Sequence, residues 1–361
     1  MKKIKGYFIA VLTILYALAL LVYSRDVSQG IISSLKTCLN VIIPSLFPFM
    51  VVSGIIISSG LYAKLGKPFS LFSRYILRIP SELFSVFLIS SVGGYPIGAK
   101  LLTSLYDEEK ISRESAEKML GFCYMGGPAF FIGAAGTKIY GSAKIGIIIF
   151  TSIFLSNITA FFFMGIRQPV PPKSSARPEL NFTPAKLISS VSSGGIGIAG
   201  ICISILFFSS IISALEASGI LDIFAHTASQ LSHIDPNICK TILRSILEIS
   251  NISALPNDLS LLPMATALLS FGGLCVIIQV ECIIGGKISI NNFLFVRIFT
   301  MILSYLCCKI LIIVVGTANY TQASTISGIG IRQSSPIPSL FLLIMTILLL
   351  SKNYIEIIKK I

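Results

Sequence analysis

The sequence has no tryptophan, and charged residues make up only 12% of it, about half the share found in soluble domains. Its mean hydropathy is +0.88. So few charged residues cannot cover the surface of a soluble chain of 361 residues. The scarcity of charge excludes an ordinary soluble globular protein and indicates a chain whose solvent is mostly lipid.

Several motifs that carry chemistry are also absent. The eight cysteines form no Cys-x-x-Cys pair, and most lie in apolar stretches, where a thiol acts as a small hydrophobe. The string GGYPIGAK at 93–100 looks like a phosphate-binding loop, but its lysine comes one residue late and no Ser or Thr follows it. No Ser/His/Asp or Cys/His arrangement suits a water-filled site. We predict no catalytic residue, no metal site, no cofactor and no enzyme activity.

Positive charge is present, at +13 net, but it is not gathered into the basic surface that nucleic acid requires. Of the 28 Lys and Arg residues, nineteen fall in segments that the crossing count assigns to the cytoplasm and six in outer segments. This bias follows the positive-inside rule. We therefore predict lipid and not nucleic acid as the surroundings, and a cytoplasmic N-terminus.

Long apolar stretches are what the sequence offers instead. A bilayer core about 30 Å thick requires roughly 20 apolar helical residues per crossing, and the chain contains seven or eight such stretches. The first, residues 7–23, follows Lys2, Lys3 and Lys5, is too long for a signal-peptide core and has no small-residue cleavage site after it. We predict an all-α, polytopic membrane protein whose first helix is retained.

A Pro-rich basic segment divides the chain into halves with the same order of elements: a long apolar stretch, a short hairpin, a Gly-interrupted crossing and an uninterrupted crossing. Because the crossing count starts the two halves on opposite sides, we predict inverted-topology repeats, as in many secondary transporters. The predicted units are an N-terminal transmembrane helix (1–30), a first repeat (31–166), a cytoplasmic linker (167–187), a second repeat (188–316), and an external loop with a C-terminal transmembrane helix (317–361).

Two segments are predicted to form re-entrant hairpins. Residues 82–106 are split by Val-Gly-Gly-Tyr-Pro, and residues 241–262 occupy the same place in the second half. Irregular backbone at that depth is tolerated only where it is buried in protein or faces water. We also predict a break at Pro44 and Pro48, because the thirty apolar residues from 31 to 60 would span roughly 45 Å as one helix.

Four interruptions mark a candidate substrate site, at residues 93–98, 126–128 (within a crossing over 119–136), 248–256 and 272–279. A single Gly-Pro break is usually a packing kink. Four in matching places favour a site between half-helices, whose N-termini attract anionic groups.

The polar residues in these regions have two interpretations each. Arg244 and Glu248 are ionisable groups inside an apolar element, which are functional candidates by default, but they are four residues apart and can form a structural pair. Lys100 follows the start of a half-helix, where it binds a carboxylate or else extends to the interface. Asn251 and Gln279 suit a polar ligand or an interhelical hydrogen bond equally.

We predict a substrate site that combines the turn residues with these polar side chains. Its residues are Gly94, Tyr95, Pro96, Gly98, Lys100, Gly127, Pro128, Arg244, Glu248, Asn251, Gly273 and Gln279.

Four strings carry a resemblance to a known family: GYPIGAK (94–100), MGGPAFFIGAAG (125–136), LEISN (247–251) and SFGGLCVIIQ (270–279). Over roughly residues 30–320 the chain resembles the YlbJ-type sporulation integral membrane proteins, also called stage V sporulation protein V. That family has the nucleoside-recognition, or gate, type of membrane domain. The resemblance implies a role in endospore formation, moving dipicolinic acid out of the mother cell across the outer forespore membrane.

Three functions follow as expectations. The first is a secondary transporter of a small organic anion, dipicolinate above all, working by alternating access around the two hairpins. The second is a transporter of a nucleoside or other small solute, with Glu248, Asn251 and Gln279 as the main contacts. The third is a non-transporting assembly protein of the spore envelope, which would have no need of broken crossings. The sequence leaves open whether the chain forms a homo-oligomer.

Overall fold

Backbone groups in lipid must find their hydrogen-bond partners within the protein, and helices do so inside a single segment. In the computed structural model, which describes residues 2–165 and 180–315, every regular element is accordingly a helix. The predicted all-α class is confirmed. The predicted C-terminal unit (317–361) and most of the linker (167–187) lie outside the described residues.

Five of the described helical stretches are long and apolar enough to cross a membrane, which confirms a multi-pass membrane protein. They are Ser24–Ser58, Ala143–Met164, Pro184–Ala217, Leu259–Ile284 and Asn291–Val315. Two shorter apolar helices accompany them, at Ile9–Val22 and Ser81–Gly93.

Residues 2–165, the described part of the first half, form eight α-helices and four 3-10 or π-helical segments. The α-helices are α1 (Lys2–Val22), α2 (Ser24–Thr37), α3 (Ile43–Ser58), α4 (Tyr62–Leu65), α5 (Ser81–Gly93), α6 (Ile97–Asp107), α7 (Arg113–Leu120) and α8 (Ala143–Gly165). The π-helical segments are Cys38–Ile42, Phe72–Ile76 and Ala129–Ile139, and the 3-10 segment is Lys67–Phe69.

In the described part of the second half, residues 180–315, the chain forms six α-helices. They are α9 (Pro184–Ala217), α10 (Ile220–Ser232), α11 (Pro236–Leu247), α12 (Leu262–Phe271), α13 (Gly273–Ile284) and α14 (Asn291–Val315). Two 3-10 segments, Ile249–Ala254 and Leu259–Leu261, lie between α11 and α12.

The predicted break at Pro44 and Pro48 is wrong. Helices α2 and α3 join through the π-turn Cys38–Ile42 into one stretch of 35 residues. Pro44 lies in the first turn of α3, directly after the π-turn, where a proline needs no helical hydrogen bond. The predicted unit boundary after residue 30 falls inside α2.

Two other breaks differ in extent from the prediction. The first Gly-Pro break is wide: α7 ends at Leu120, and no helix forms from 121 to 127. The second is narrow, because Gly272 and Gly273 take positive φ values of 84° and 81° and α13 then begins at once. Gln279 therefore lies within a helix and not in an interruption.

The second hairpin also departs from the predicted bounds of 241–262. Its first arm, α11, starts earlier, at Pro236, and its return arm is 3-10 rather than α-helical. The return arm is Ile-Ser-Asn-Ile-Ser-Ala followed by Pro256. Ser and Asn side chains compete for backbone hydrogen bonds, and proline lacks the donor, so an α-helix is disfavoured there.

The long helices of the two halves pack on each other through small residues. A Cβ added to Gly54 of α3 would lie 3.1 Å from the Cβ of Ser190 of α9. Ser34 of α2 donates a hydrogen bond of 2.8 Å to Ser209 of α9. Small residues allow such close approach, and serine pairs supply hydrogen bonds in an apolar medium.

Polar contacts between loops show which loops share an end of the molecule. The Nζ of Lys287 lies 2.7 Å from Oδ1 of Asp107, and the backbone N–H of Ser289 donates to Glu117 at 3.0 Å. The segment 107–118, which ends within α7, and the loop 285–290 are therefore neighbours. The membrane-length span Leu259–Ile284 leads from the 285–290 loop to Asp258.

Candidate functional site

A cavity of about 610 Å³ lies between the first hairpin, α9 and α13. Its walls come from one residue of α3 and from three elements that are distant in sequence. The lining residues are Met50, Pro96, Ile97, Lys100, Ser189, Ser192, Ser193, Ile196, Gly197, Gly200, Ile201, Ser204, Gln279, Cys282 and Ile283. The volume suits a small organic molecule.

Lys100 supplies the positive charge of this cavity. Its side chain is partly buried, and its Nζ donates to the carbonyl oxygen of Ser193 at 3.1 Å and also to the Ser193 hydroxyl. No carboxylate among the described residues lies within ion-pair distance of it. An ammonium has three donors, so one remains for an anionic ligand.

Gln279 offers a buried polar group that is not satisfied. Its side chain is 6% exposed, and its Oε1 accepts no hydrogen bond. Its Nε2 reaches only the sulfur of Cys275, at 3.3 Å. A buried acceptor without a partner costs about 1–3 kcal/mol, and a ligand donor would remove that cost.

A second, small cavity of about 40 Å³ adjoins the tips of both hairpins. Tyr95 of the first hairpin, Glu248 of the second and Gln279 all line it. Gln279 thus lies on the wall of both cavities. The tips of the two hairpins meet at this small cavity.

Glu248 is buried, and its carboxylate caps the return arm of its own hairpin. Oε1 accepts from the backbone N–H of Ser250 at 3.0 Å, and Oε2 accepts from the Ser250 hydroxyl and from Asn251 Nδ2 at 3.2 Å. The backbone of Glu248 is extended, with φ −144° and ψ 116°. The helix therefore ends before Glu248, and its carboxylate turns toward the residues that follow.

Arg244 has a different partner from the one proposed by spacing alone. Its NH1 lies 3.3 Å from Oε1 of Glu216, and its NH2 donates to Asn251 Oδ1 at 3.1 Å. The alternative of an ion pair with Glu248 is wrong, because Glu248 has left the helix that the spacing rule assumes. Neither Arg244 nor Asn251 lines a cavity described here.

Glycines bring each hairpin against the break of its own half. A Cβ on Gly94 would lie 3.0 Å from the N atom of Gly127, and one on Gly98 only 1.7 Å from the carbonyl oxygen of Cys123. In the second half, a Cβ on Gly273 would lie 3.2 Å from the N atom of Ile249. Each hairpin tip thus contacts the unwound backbone of the following crossing.

The comparison with curated proteins supports one relationship. The chain is 25% identical over 274 residues to "Sporulation integral membrane protein YlbJ" of Bacillus subtilis (strain 168), covering 68% of this chain and 67% of that protein. This chain is similar in sequence to YlbJ. The resemblance predicted from the four strings is thereby confirmed. No family model matches the chain, and no solved structure matches it.

The strings that resemble YlbJ-type proteins all lie at the broken elements. Residues 94–100 form the first hairpin tip, 125–136 the wide break and the helix after it, 247–251 the second tip, and 270–279 the narrow break with the start of α13. The motifs behind the YlbJ resemblance thus surround the two cavities.

The structure gathers some of the predicted substrate-binding residues and separates others. Pro96, Lys100 and Gln279 line the large cavity, and Tyr95 and Glu248 line the small one. The predicted glycines make backbone contacts between the broken elements, and Pro128 begins the helix after the wide break. Contact of any of these residues with a substrate stays a prediction.

Arg297 is the residue that sequence reasoning undervalued. It is fully buried in α14, where NH1 donates to the carbonyl oxygen of Tyr124 at 2.7 Å and NH2 donates to Asn157 Oδ1 at 2.7 Å and to the carbonyl oxygen of Gly121. Its guanidinium lies 5.1 Å from the Tyr124 ring centroid. Arg297 therefore satisfies the carbonyls of the wide break, and an arginine within an apolar run was the signal for it.

The serine-rich face of α9 was also missed. Ser189, Ser192, Ser193 and Ser204 line the large cavity together with Gly197 and Gly200. Their spacing of three, four, seven or eight residues is the signal of one helical face. Composition hides it, because serine and glycine are also the usual residues of helix packing in membranes.

Proposed function

We propose that this chain is a membrane transporter of a small organic anion, with dipicolinate as the first candidate, and that it performs no catalysis. The observation that carries the proposal is the cavity of about 610 Å³ with the Lys100 ammonium on its wall and Gln279 at the junction with the small cavity. A structural assembly protein has no need of a cavity that holds an unpaired cation in lipid.

The packing of the hairpins supports two units that work as a pair. Gly94 contacts Gly127 in the first half, and Gly273 contacts Ile249 in the second. Tyr95 donates its hydroxyl to the carbonyl oxygen of Leu269, so the first tip is tied to the narrow break of the other half. Transporters with inverted repeats bind their substrates between such discontinuous elements.

Loop contacts support a topology in which the two hairpins enter the membrane from opposite faces. Helices α5 and α6 are joined by a turn of three residues and pack on each other, which supports a first hairpin that begins and ends on one side. Asp258, after the second hairpin, is separated from Lys287 and its partner Asp107 by a membrane-length span. We infer that the hairpins enter from opposite faces and that the N-terminus is cytoplasmic.

The contact between Lys100 and Ser193 is our candidate for the closed state of the site. It joins the return arm of the first hairpin to α9 across the cavity wall. A carboxylate that binds Lys100 competes with Ser193 for the ammonium, so substrate binding weakens the link between the two elements. Alternating access then follows from a substrate-dependent change in this contact.

The cellular role is proposed from the relative. YlbJ is named as a sporulation integral membrane protein. We propose that this chain also serves sporulation, in the mother-cell or outer forespore membrane, and that dipicolinate crosses that membrane through it.

Flux into proteoliposomes tests the proposal. The purified full chain should move dipicolinate, and Lys100→Gln should weaken its apparent affinity about 10- to 100-fold, because a hydrogen bond to a charged group contributes about 1.5–3 kcal/mol. Lys309→Gln, on a membrane-segment lysine stacked on Tyr305, is the matched control and should leave flux unchanged.

The same assay also tests the two alternative functions. A nucleoside or neutral polar solute becomes the better candidate if it competes with dipicolinate and Lys100→Gln has no effect, since the unpaired amide of Gln279 would then be the main contact. If the wild-type protein neither moves nor binds any of these solutes, the transporter proposal is wrong and a non-transporting assembly role takes its place.

A further inference from the structure

The charges around the two cavities are few and can be counted. Among the described residues that line the large cavity, Lys100 of α6 and Cys282 of α13 are titratable, and those of α9 and α3 are not. The small cavity adds Tyr95 and Glu248. The combined site therefore offers one ammonium and one carboxyl group to an anionic ligand.

A doubly charged anion is poorly matched to this site. One of its carboxylates can bind Lys100, but the other would face Gln279 with Glu248 on the adjoining wall. Two carboxylates that share a desolvated site cannot both stay ionised easily, and one of them takes up a proton. The site itself supplies no second cation among the described lining residues.

The unpaired acceptor atom of Gln279, Oε1, also favours a ligand with a single negative charge. Its Oε1 is buried without a hydrogen-bond donor, while Nε2 is directed at Cys275. An ionised carboxylate has no hydrogen to donate, whereas a protonated carboxyl, a hydroxyl or an amide N–H has one. A neutral donor group on the ligand would therefore satisfy this atom, and an ionised carboxylate would not.

We infer that the site binds its ligand as a singly charged anion, with one carboxylate on the Lys100 ammonium and a neutral hydrogen-bond donor on Gln279 Oε1. The inference rests on the proposed function and specifies its substrate. For dipicolinate, the dianion takes one proton from water on the carboxyl group facing Gln279, and that proton leaves with the ligand on the other side.

Calorimetric binding to the full chain in detergent tests this, with two probes: dipicolinate and its monoamide, 6-carbamoylpyridine-2-carboxylate. The monoamide has a fixed single charge and an N–H donor where dipicolinate needs a proton. Between about pH 6 and about pH 8, the Kd of dipicolinate should rise about tenfold per pH unit, because binding takes up one proton. The Kd of the monoamide should not change with pH.

Three variants and one control test the Gln279 contact and identify where the proton resides. Gln279→Leu should weaken the monoamide about tenfold, while Gln29→Leu, on an exposed residue of α2, should have no effect. Cys282→Ser and Glu248→Gln should both keep the pH dependence of dipicolinate binding. Loss of that dependence in either variant would mean that the protein group, and not the ligand, holds the proton, and would overturn the inference.

The remaining outcomes separate this inference from the proposed function. If dipicolinate moves in a Lys100-dependent manner but binds equally well at both pH values, the amide of Gln279 is turned with its N–H toward an ionised carboxylate, and the inference alone is wrong. If neither probe binds and no flux occurs, the transporter proposal is wrong as well.

Discussion

At the residue scale, Arg297 is the group on which the local structure depends most. Its three donor contacts hold the carbonyls of Gly121 and Tyr124 and the amide of Asn157, and no carboxylate among the described residues pairs with it. A helix break in lipid is stable only when the freed backbone groups find partners. A buried guanidinium, with five donors in a fixed plane, meets that need better than a lysine would.

We predict that Arg297→Leu lowers the melting temperature of the protein in detergent more than the replacement of any other cationic residue in a membrane segment does. Each carbonyl left without a donor costs about 1–3 kcal/mol. Lys309→Leu, on the same helix but exposed and stacked only on Tyr305, is the control and should change the melting temperature little. Equal melting temperatures for the two variants would contradict the role of Arg297.

Glu117 gives a pH-dependent contact outside the membrane. The backbone N–H of Ser289 and the side chain of Arg113 hold the pKa of Glu117 below its usual range. A carboxyl group with a lowered pKa in the folded state adds stability above its ordinary pKa, and this is lost as the pH falls through the folded value.

The prediction is that the Ser289 amide loses protection from hydrogen exchange on acidification, after correction for the intrinsic exchange rate. In Glu117→Gln the protection should be weaker at neutral pH and should no longer change with acid. Glu114→Gln, three residues before Glu117 on the same helix, serves as the control. An unchanged pH profile in Glu117→Gln would rule the contact out.

At the element scale, the first hairpin owes its position to glycine. A Cβ at Gly98 would lie 1.7 Å from the carbonyl oxygen of Cys123, an approach that no side chain can make, and the contacting atom is backbone. The tip and the wide break can lie together only while position 98 has no side chain. The return arm that carries Lys100 is held by the same contact.

We therefore predict that Gly98→Ala displaces this arm, destabilises the protein by about 1–3 kcal/mol and abolishes dipicolinate flux. Gly195→Ala in α9 is the matched control, because a Cβ there meets nothing within 4 Å. Its flux and its melting temperature should equal or exceed those of the wild type, since alanine favours the helix. Normal flux in Gly98→Ala would show that the contact between tip and break is dispensable.

At the scale of the whole molecule, the loops divide between two ends. The segment 107–118 and the loop 285–290 are joined by the Lys287 to Asp107 contact, and the membrane-length span Leu259–Ile284 leads from that loop to the loop around Asp258. We propose that the first hairpin begins and ends at one of these ends and the second hairpin at the other.

Cysteine labelling in intact cells tests it. On a background with the exposed native Cys282 replaced by serine, Glu109→Cys and Asn257→Cys put thiols at exposed positions of the two loops. An impermeant maleimide should label the residue 257 thiol and should reach the residue 109 thiol only after permeabilisation. Labelling of both from one side would refute opposite entry of the hairpins and, with it, the inverted repeat.

The all-α class, the multi-pass character, the first hairpin and the YlbJ resemblance were set by the sequence, because hydropathy and Gly-Pro punctuation act locally and lipid permits few backbone solutions. Tertiary structure decided the rest. The Lys100 to Ser193 contact spans 93 residues, and Arg297 meets Tyr124 across 173. Packing between distant segments decides which face of α9 lines the cavity and which helix break is wide. No local sequence pattern contains that information.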